Sequence, residues 1–133
     1  MADYAPTAQR LKEKVFAVFC TDGPNAAKLR EEHLEGHLLH TEKHWDKYIV
    51  AGPLRPVDDV ELNGSLFLIM AENEEEAWEI LNGDPYFQTD IYATKDLRVF
   101  TPAIGQFLGG VIWDSAAALK DATVNGRRAD AKV

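Results

Sequence analysis

Cysteine is nearly absent from this chain, since Cys20 is the one cysteine among 133 residues. A single cysteine excludes an internal disulfide framework. Cys20 also ends an apolar run that begins at Val15, which is the usual setting of a buried strand. We therefore expect a buried, inert thiol and not a catalytic nucleophile.

Positive charge is scarce as well, with 14 Lys and Arg residues against 22 Asp and Glu residues and a formal net charge of −8. Nucleic-acid binding needs a clustered basic patch, so we do not expect this class of partner. No apolar run approaches the length of a membrane span, and the N-terminal sequence MADYAPTAQR lacks the apolar stretch of a signal peptide. These features predict a cytoplasmic protein that binds neither nucleic acid nor membranes.

Histidine, in contrast, is concentrated in one segment. All four histidines lie within twelve residues, at spacings of four, three and four: His33, His37, His40 and His44. On an uninterrupted helix with about 100° per residue, these side chains form one stripe about 60° wide. Because imidazole exchanges protons near neutral pH, the stripe is a solvated helix face, a metal site or the wall of a reactive pocket.

Apolar periodicity and turn signals predict an alternation of strands and helices, and 46% hydrophobic residues suffice for a core. The predicted strands are Lys14–Cys20, Tyr48–Ala51, Ser65–Ala71 and Tyr92–Phe100. The first predicted helix is Ala26–Lys47, and the second starts at the cap Asn73 and stops at Asn82–Pro85. Gly36 inside the first helix costs about 1 kcal/mol relative to alanine. It indicates either a close approach of another backbone or a tolerated weakness.

The order β-α-β-β-α-β predicts an α+β, ferredoxin-like fold, in which two helices cover one face of a four-stranded antiparallel sheet. The other face must also be buried, so we expect a homodimer through the sheet, and higher assembly stays open. We divide the chain into an N-terminal arm (1–13), the ferredoxin-like domain (14–102) and a C-terminal extension (103–133). The apolar first part of the extension is expected to pack on the sheet or cross to the partner subunit, and its end, from about Thr123, to be disordered.

Four short motifs resemble those of the YCII-related family, which belongs to the dimeric ferredoxin-like superfamily of muconolactone isomerase. They are Leu29-Arg30, His37-Leu38, the Ala-Gly-Pro of Ile49–Leu54, and Asp84-Pro85-Tyr86. The resemblance covers about residues 14 to 102. It implies a cleft with a His and an Asp as an acid–base pair, carried here by His37 and Asp84. His33, which is also followed by leucine, is the alternative histidine.

Candidate substrate-binding residues are Arg30, Gly52, Pro53 and Tyr86 from these motifs, together with Ser65. An arginine can anchor an anionic group, and Tyr86 can line a pocket suited to aromatic ligands. Ser65 starts the third predicted strand without an evident base beside it, so a serine nucleophile is disfavoured.

A His–Asp pair can move protons without a cofactor, since the carboxylate orients the imidazole and stabilises its protonated form. One relative within the family eliminates chloride from a chlorinated hydroxyquinone. The leading hypothesis is therefore a small cofactor-independent lyase or isomerase, dehydrochlorinase-like in one version, acting on a small aromatic or quinone-like metabolite.

Two alternatives remain open. One is a non-catalytic dimeric protein that binds a small ligand or assists a partner. The other is a metal-dependent enzyme, because His33/His37 and His40/His44 are both spaced to chelate a divalent ion. Neither pair has a Glu in the position used by zinc proteases, and we assign no metal to the leading hypothesis.

Overall fold

The structure, a computed structural model, describes residues 4–124, which fall into two compact units. The first unit spans residues 15–100, and the second joins residues before 15 to those after 100. The elements of the larger unit are β1 (Lys14–Asp22), α1 (Ala26–Glu32), α2 (Leu34–Lys43), β2 (Tyr48–Leu54), β3 (Gly64–Ala71), α3 (Glu74–Asn82) and β4 (Tyr92–Phe100). Short 3-10 turns follow α2 at Trp45–Lys47 and α3 at Pro85–Phe87. Within the described residues, no helix is long and apolar enough to cross a bilayer.

The four strands form one sheet in the order β2-β3-β1-β4. β1 pairs antiparallel with β4, and β2 pairs antiparallel with β3. This order, with helices connecting β1 to β2 and β3 to β4, is the ferredoxin-like arrangement. The predicted α+β fold class is confirmed.

The core lies between the sheet and the helices. Alternate residues of β1 and β3 point toward the helices, and they meet apolar residues of α3 and of the segment before β4: Phe16, Val18, Cys20, Phe67, Ile69, Ala77, Leu81 and Ile91. Each large side chain buried in this way contributes about 1.5–3 kcal/mol. Cys20 is fully buried, and this burial raises its thiol pKa to about 12. The prediction of a buried thiol is confirmed, and a reactive thiolate is disfavoured.

The predicted helix Ala26–Lys47 is wrong as a single element. It is interrupted at His33, whose φ of −108° and ψ of 14° depart from helical values, and α2 ends at Lys43 before a 3-10 turn. A change confined to one residue leaves no mark on apolar periodicity, so the sequence pattern does not reveal it. A uniform step of 100° per residue therefore does not hold across His33.

The second strand is longer than predicted, because β2 continues through Gly52 and Pro53 to Leu54. β2 lies at an edge of the sheet, where the missing N–H of proline removes no obligatory ladder bond. The predicted cap of α3 is present. Asn73 Oδ1 accepts from the Glu76 amide at 2.9 Å, and Glu76 Oε1 accepts from the Glu72 amide at 3.2 Å.

The second unit contains the small strands β5 (Ile104–Gly105) and β6 (Gly110–Val111) and the helix α4 (Ala116–Val124). Thr7 forms an isolated parallel bridge to Val111, which is buried, whereas Phe107 is 88% exposed. The expected disordered end begins at about Thr123. Thr123 and Val124 complete α4, and the rest of that segment lies outside the described residues.

Gly36 lies where α2 meets the turn after α3. A Cβ at this position would lie 2.9 Å from Pro85 Cγ, which is closer than real Cβ atoms approach. The proline ring cannot move away as the end of a flexible side chain would. Gly36 therefore permits a close approach of the Pro85 side chain to α2. The sequence suggested the approach of another backbone as one explanation, and the structure shows a side chain instead.

We predict that Gly36→Ala lowers the free energy of unfolding, although alanine is favoured over glycine in helices by about 1 kcal/mol. The reason is the clash with Pro85. In a Pro85→Ala background the same substitution should stabilise by about 1 kcal/mol, because the obstructing ring atom is gone. Urea denaturation of the four proteins measures both effects. Equal effects in the two backgrounds would show that Pro85 is not the obstacle.

Candidate active site

A cleft of about 580 Å³ opens between α1–α2 and the face of β2–β3. This volume is in the range of small-molecule sites. Four of the candidate substrate-binding residues line it, namely Arg30, Gly52, Pro53 and Ser65, and Tyr86 lines it from the turn after α3. His37 also lines the cleft, whereas His33 lies at the junction of α1 and α2 and is not part of the lining.

His37 and Asp84 are directly hydrogen-bonded. His37 Nδ1 lies 2.7 Å from Asp84 Oδ2, and the Asp84 side chain has no exposed surface, whereas that of His37 is 18% exposed. A carboxylate oxygen accepts, so Nδ1 donates and Nε2 is left for a group in the cleft. Burying a carboxylate without hydrogen-bond partners costs several kcal/mol, and the His37 imidazole is one such partner for Asp84.

The local sequence fixes Asp84 in place. Asp84 precedes Pro85 and caps the 3-10 turn that follows α3, so its Oδ1 accepts from the Tyr86 amide at 2.9 Å. Proline at the first position of the turn restrains the backbone on both sides of the peptide bond. One oxygen of Asp84 is thus held by the turn, and the other is directed at His37.

Tyr86 connects the two polar parts of the cleft. Its ring stacks on the His37 ring with centroids 3.8 Å apart and planes 4° apart. Its hydroxyl donates to the Arg30 carbonyl at 3.1 Å, which joins the turn to α1. Burial raises the pKa of the Tyr86 phenol, so this hydroxyl keeps its proton near neutral pH.

Arg30 is held by three acceptors that all meet Nη2. They are Asp22 Oδ1 at 2.8 Å, the Gly64 carbonyl at 3.0 Å and Ser65 Oγ at 3.3 Å. Ser65 Oγ also accepts from the Tyr92 hydroxyl at 2.9 Å. The sequence reasoning missed Asp22 and Tyr92, because no local pattern connects residues on α1, β1, β3 and β4.

The other histidines do not join this site. His40 lies against Gly83, where its Cε1 is 2.8 Å from the position of an added Cβ, and its buried Nε2 has no hydrogen-bond partner in the described part of the chain. The His40 and His44 rings are tilted, with centroids 4.6 Å apart. Among residues 4–124, no group of three or more His, Cys, Asp or Glu side chains is arranged to hold a metal ion.

One wall of the cleft is apolar. Leu34, Leu38 and Trp45 are assigned to one side of the first helix by periodicity, and they are 47%, 46% and 72% exposed in the structure. Leu62, from the loop before β3, lies on the same cleft. The apolar side of a helix usually faces a core, so the pattern alone does not distinguish a core from a cleft.

Together, the fold and this cleft define a class of protein: a ferredoxin-like α+β domain with an imidazole–carboxylate pair beside an open pocket. The family model described as the YCII-related domain matches residues 15–101. The chain therefore belongs to the YCII-related family. No functionally curated protein matches the sequence.

A solved structure with the same fold is that of 5-chloro-2-hydroxyhydroquinone dehydrochlorinase from Burkholderia phenoliruptrix AC1100, in complex with 2,5-dihydroxybenzoquinone. It is 23% identical to this chain, with a TM-score of 0.59 over 69% of this chain and 96% of that one. This likeness establishes the shared fold.

We predict that His40 makes folding sensitive to acid. Burial lowers the pKa of His40 from 6.5, and His44 and His37 lower it further, against smaller raising effects of Asp84 and of the Ile80 backbone. The unfolded chain then binds more protons than the folded chain below about pH 6.5. The free energy of unfolding therefore falls as the pH drops through this value toward the pKa of the folded state.

Urea denaturation at pH 7.5 and 5.5 measures this loss. The difference between the two pH values should be smaller for His40→Gln than for the wild type. An unchanged difference in His40→Gln would contradict the prediction.

Proposed function

We propose that this protein is a small lyase or isomerase in which His37 transfers a proton and Asp84 orients it. The observation that carries the proposal is the 2.7 Å hydrogen bond between His37 Nδ1 and the buried Asp84 carboxylate. With Nδ1 committed to Asp84, the Nε2 atom takes a proton from a substrate carbon and returns it to another atom. Asp84 stabilises the imidazolium that forms in between.

The proposed chemistry needs no bound cofactor. In an isomerisation, the proton removed from one carbon returns to another position of the same molecule. In a dehydrochlorinase-like elimination, the proton goes to His37, the carbon–hydrogen electron pair forms the new double bond, and chloride leaves with the electrons of the broken bond. The stacked Tyr86 ring holds the imidazole plane, so the base does not have to be reoriented in the transition state.

The proposed substrate is a small metabolite of aromatic or quinone-like character. The structural neighbour acts on a chlorinated hydroxyhydroquinone and was solved with a dihydroxybenzoquinone, which supports this class at the level of analogy. The apolar side chains of Leu34, Leu38 and Trp45 offer a surface on which a flat ring can pack. We also propose that the protein is located in the cytoplasm.

The test is solvent-hydrogen exchange. The protein is incubated in D2O with a panel of hydroxylated quinones and enolisable ring compounds, including 2,5-dihydroxybenzoquinone and 5-chloro-2-hydroxyhydroquinone, and deuterium uptake and chloride release are measured. His37→Gln should lower the rate by about 10²–10⁴, the contribution of a general acid–base. Asp84→Asn should also lower the rate, because the carboxylate that orients His37 is lost.

His44→Gln is the matched control, since this histidine follows α2 and is not part of the cleft lining. Its rate should equal that of the wild type. A folded His37→Gln variant with the wild-type rate would overturn the mechanism. Ligand binding without exchange or chloride release by the wild type would favour the non-catalytic binding protein.

We further propose that the domain pairs as a homodimer through the sheet face opposite α1–α3. Phe19 alternates with the buried residues Val18 and Cys20 and is 50% exposed on that face. Val50, which pairs across the sheet with Leu68, is 39% exposed there. Burying such apolar residues in a second copy would remove them from water.

Sedimentation velocity should give the mass of two chains for the wild type. Phe19→Asp should weaken association at least about tenfold, which corresponds to 1.4 kcal/mol. Val99→Asp is the control, because Val99 is 58% exposed but pairs with Phe16 on the helix-facing side. A wild-type mass of one chain would refute the pairing.

A further inference from the structure

We propose that the cleft selects an aromatic acid longer than a single ring, with its anionic oxygen at Arg30 and its apolar body toward Trp45. This inference rests on the proposed function, because it names the substrate class of the same site. His37 also lines the cleft and comes between Arg30 and Trp45 in the chain order of α1, α2 and the turn that follows, so we place it beside the middle of such a ligand. The ligand class follows from the donors at one end and the apolar surface at the other.

The Arg30 end offers hydrogen-bond donors without matching acceptors. Within residues 4–124, all three hydrogen bonds of the guanidinium use Nη2, Nη1 takes part in none, and Nε is buried without a partner. Ser65 Oγ accepts from Arg30 and from Tyr92, so both of its lone pairs are used and its own proton remains to donate. A group with acceptors alone, such as a carboxylate or a phenolate, complements these donors.

Asp22 sets the expected strength of this recognition. It lies 2.8 Å from Arg30 Nη2, and both side chains are about nine-tenths buried, so the pair is already close to neutral. The incoming anion therefore binds to oriented N–H and O–H groups and not to an unbalanced positive charge. We expect a preference for an anion over its neutral isostere of about tenfold, not of several orders of magnitude.

The opposite end of the cleft is apolar and disfavours an anion. Trp45 is 72% exposed and Leu38 46% exposed, and Glu42 lines the same end. A carboxylate placed there would be repelled by the Glu42 carboxylate and would leave the donors near Arg30 unused. These two effects give the ligand one orientation.

The length of the cleft follows from the strand register. Ser65 lies beside Arg30 and marks one end of the cleft. Tyr48, close to Trp45 in the chain, marks the other end, and it pairs with Ile69, four residues after Ser65 on β3. Four residues of an extended strand span about 13 Å. A two-ring or ring-plus-chain acid covers more of this distance than a single six-membered ring with one acidic group.

Isothermal titration calorimetry with three probes tests the proposal in the wild-type protein. The probes are 2-naphthoate, its neutral analogue 2-naphthamide, and benzoate, which keeps the acid but lacks the second ring. We expect 2-naphthoate to bind about tenfold more tightly than either of the others. Equal affinity for 2-naphthoate and 2-naphthamide would overturn the anion site, and equal affinity for 2-naphthoate and benzoate would overturn the apolar end.

Variants assign the two ends. Arg30→Gln should abolish the preference for naphthoate over naphthamide, and Trp45→Ala should abolish the preference for naphthoate over benzoate. Arg55→Gln is the matched control, because Arg55 bonds to the Asp59 carbonyl in the loop after β2 and is not in the cleft lining. If Arg30→Gln does not fold, Ser65→Ala should reduce the same preference, because it removes the hydroxyl donor beside Arg30. An unchanged preference in Ser65→Ala would then refute the assignment.

The binding test separates this proposal from the proton-transfer mechanism. His37→Gln should lose hydrogen exchange but keep the preference for 2-naphthoate, because His37 touches neither end group. Exchange activity without any anion preference would refute the ligand class and leave the proposed function intact. Anion preference without exchange in any substrate would refute the proposed function and leave the ligand class intact.

Discussion

The complete burial of the Asp84 carboxylate is the constraint on which the site depends. A buried carboxylate needs a partner for each oxygen, and here one is a backbone amide of its own turn and the other is the imidazole of His37. The first bond holds Asp84 in the turn that follows α3, and the second bonds it to α2. A displacement of either helix would leave the carboxylate unsatisfied, so the packing of the domain and the geometry of the pair are maintained together. Gly36 allows this arrangement, because the turn contacts α2 one residue before His37.

The parts of the molecule that were predictable depend on short-range signals. The strands alternate or run apolar, Asn73 precedes Glu76 as a cap does, and Asp84-Pro85 marks a turn, so the order of elements follows from the sequence. The cleft network was less accessible, because Asp22, Arg30 and Ser65 come from three separate elements and meet only in the folded sheet. The break at His33 was also out of reach, since one residue with altered φ and ψ does not change the apolar pattern around it.

The four histidines illustrate how much a local environment decides. His37 and His40 are three residues apart on α2, and their surroundings differ sharply. His37 meets a carboxylate and a stacked aromatic ring beside an open cleft, whereas His40 packs against Gly83 with an unpartnered ring nitrogen. Sequence spacing treats the two as equivalent, and a family resemblance can single out one of them only through motifs that lie elsewhere in the chain. The two environments differ because His37 contacts Asp84, whereas His40 contacts Gly83 at the end of α3.

The exposed apolar wall of the cleft bears on how this protein can diverge. Leu34, Leu38 and Trp45 lie outside the buried core, and among the residues that the structure describes no hydrogen bond depends on their side chains. Replacing one of them therefore costs little folding stability, whereas a change at Asp84 or Tyr86 disturbs a buried network. Selection can reshape the size and hydrophobicity of the pocket while the proton-handling residues stay unchanged. Proteins descended from one ancestral domain can in this way acquire specificity for different metabolites and keep the same proton-transfer chemistry.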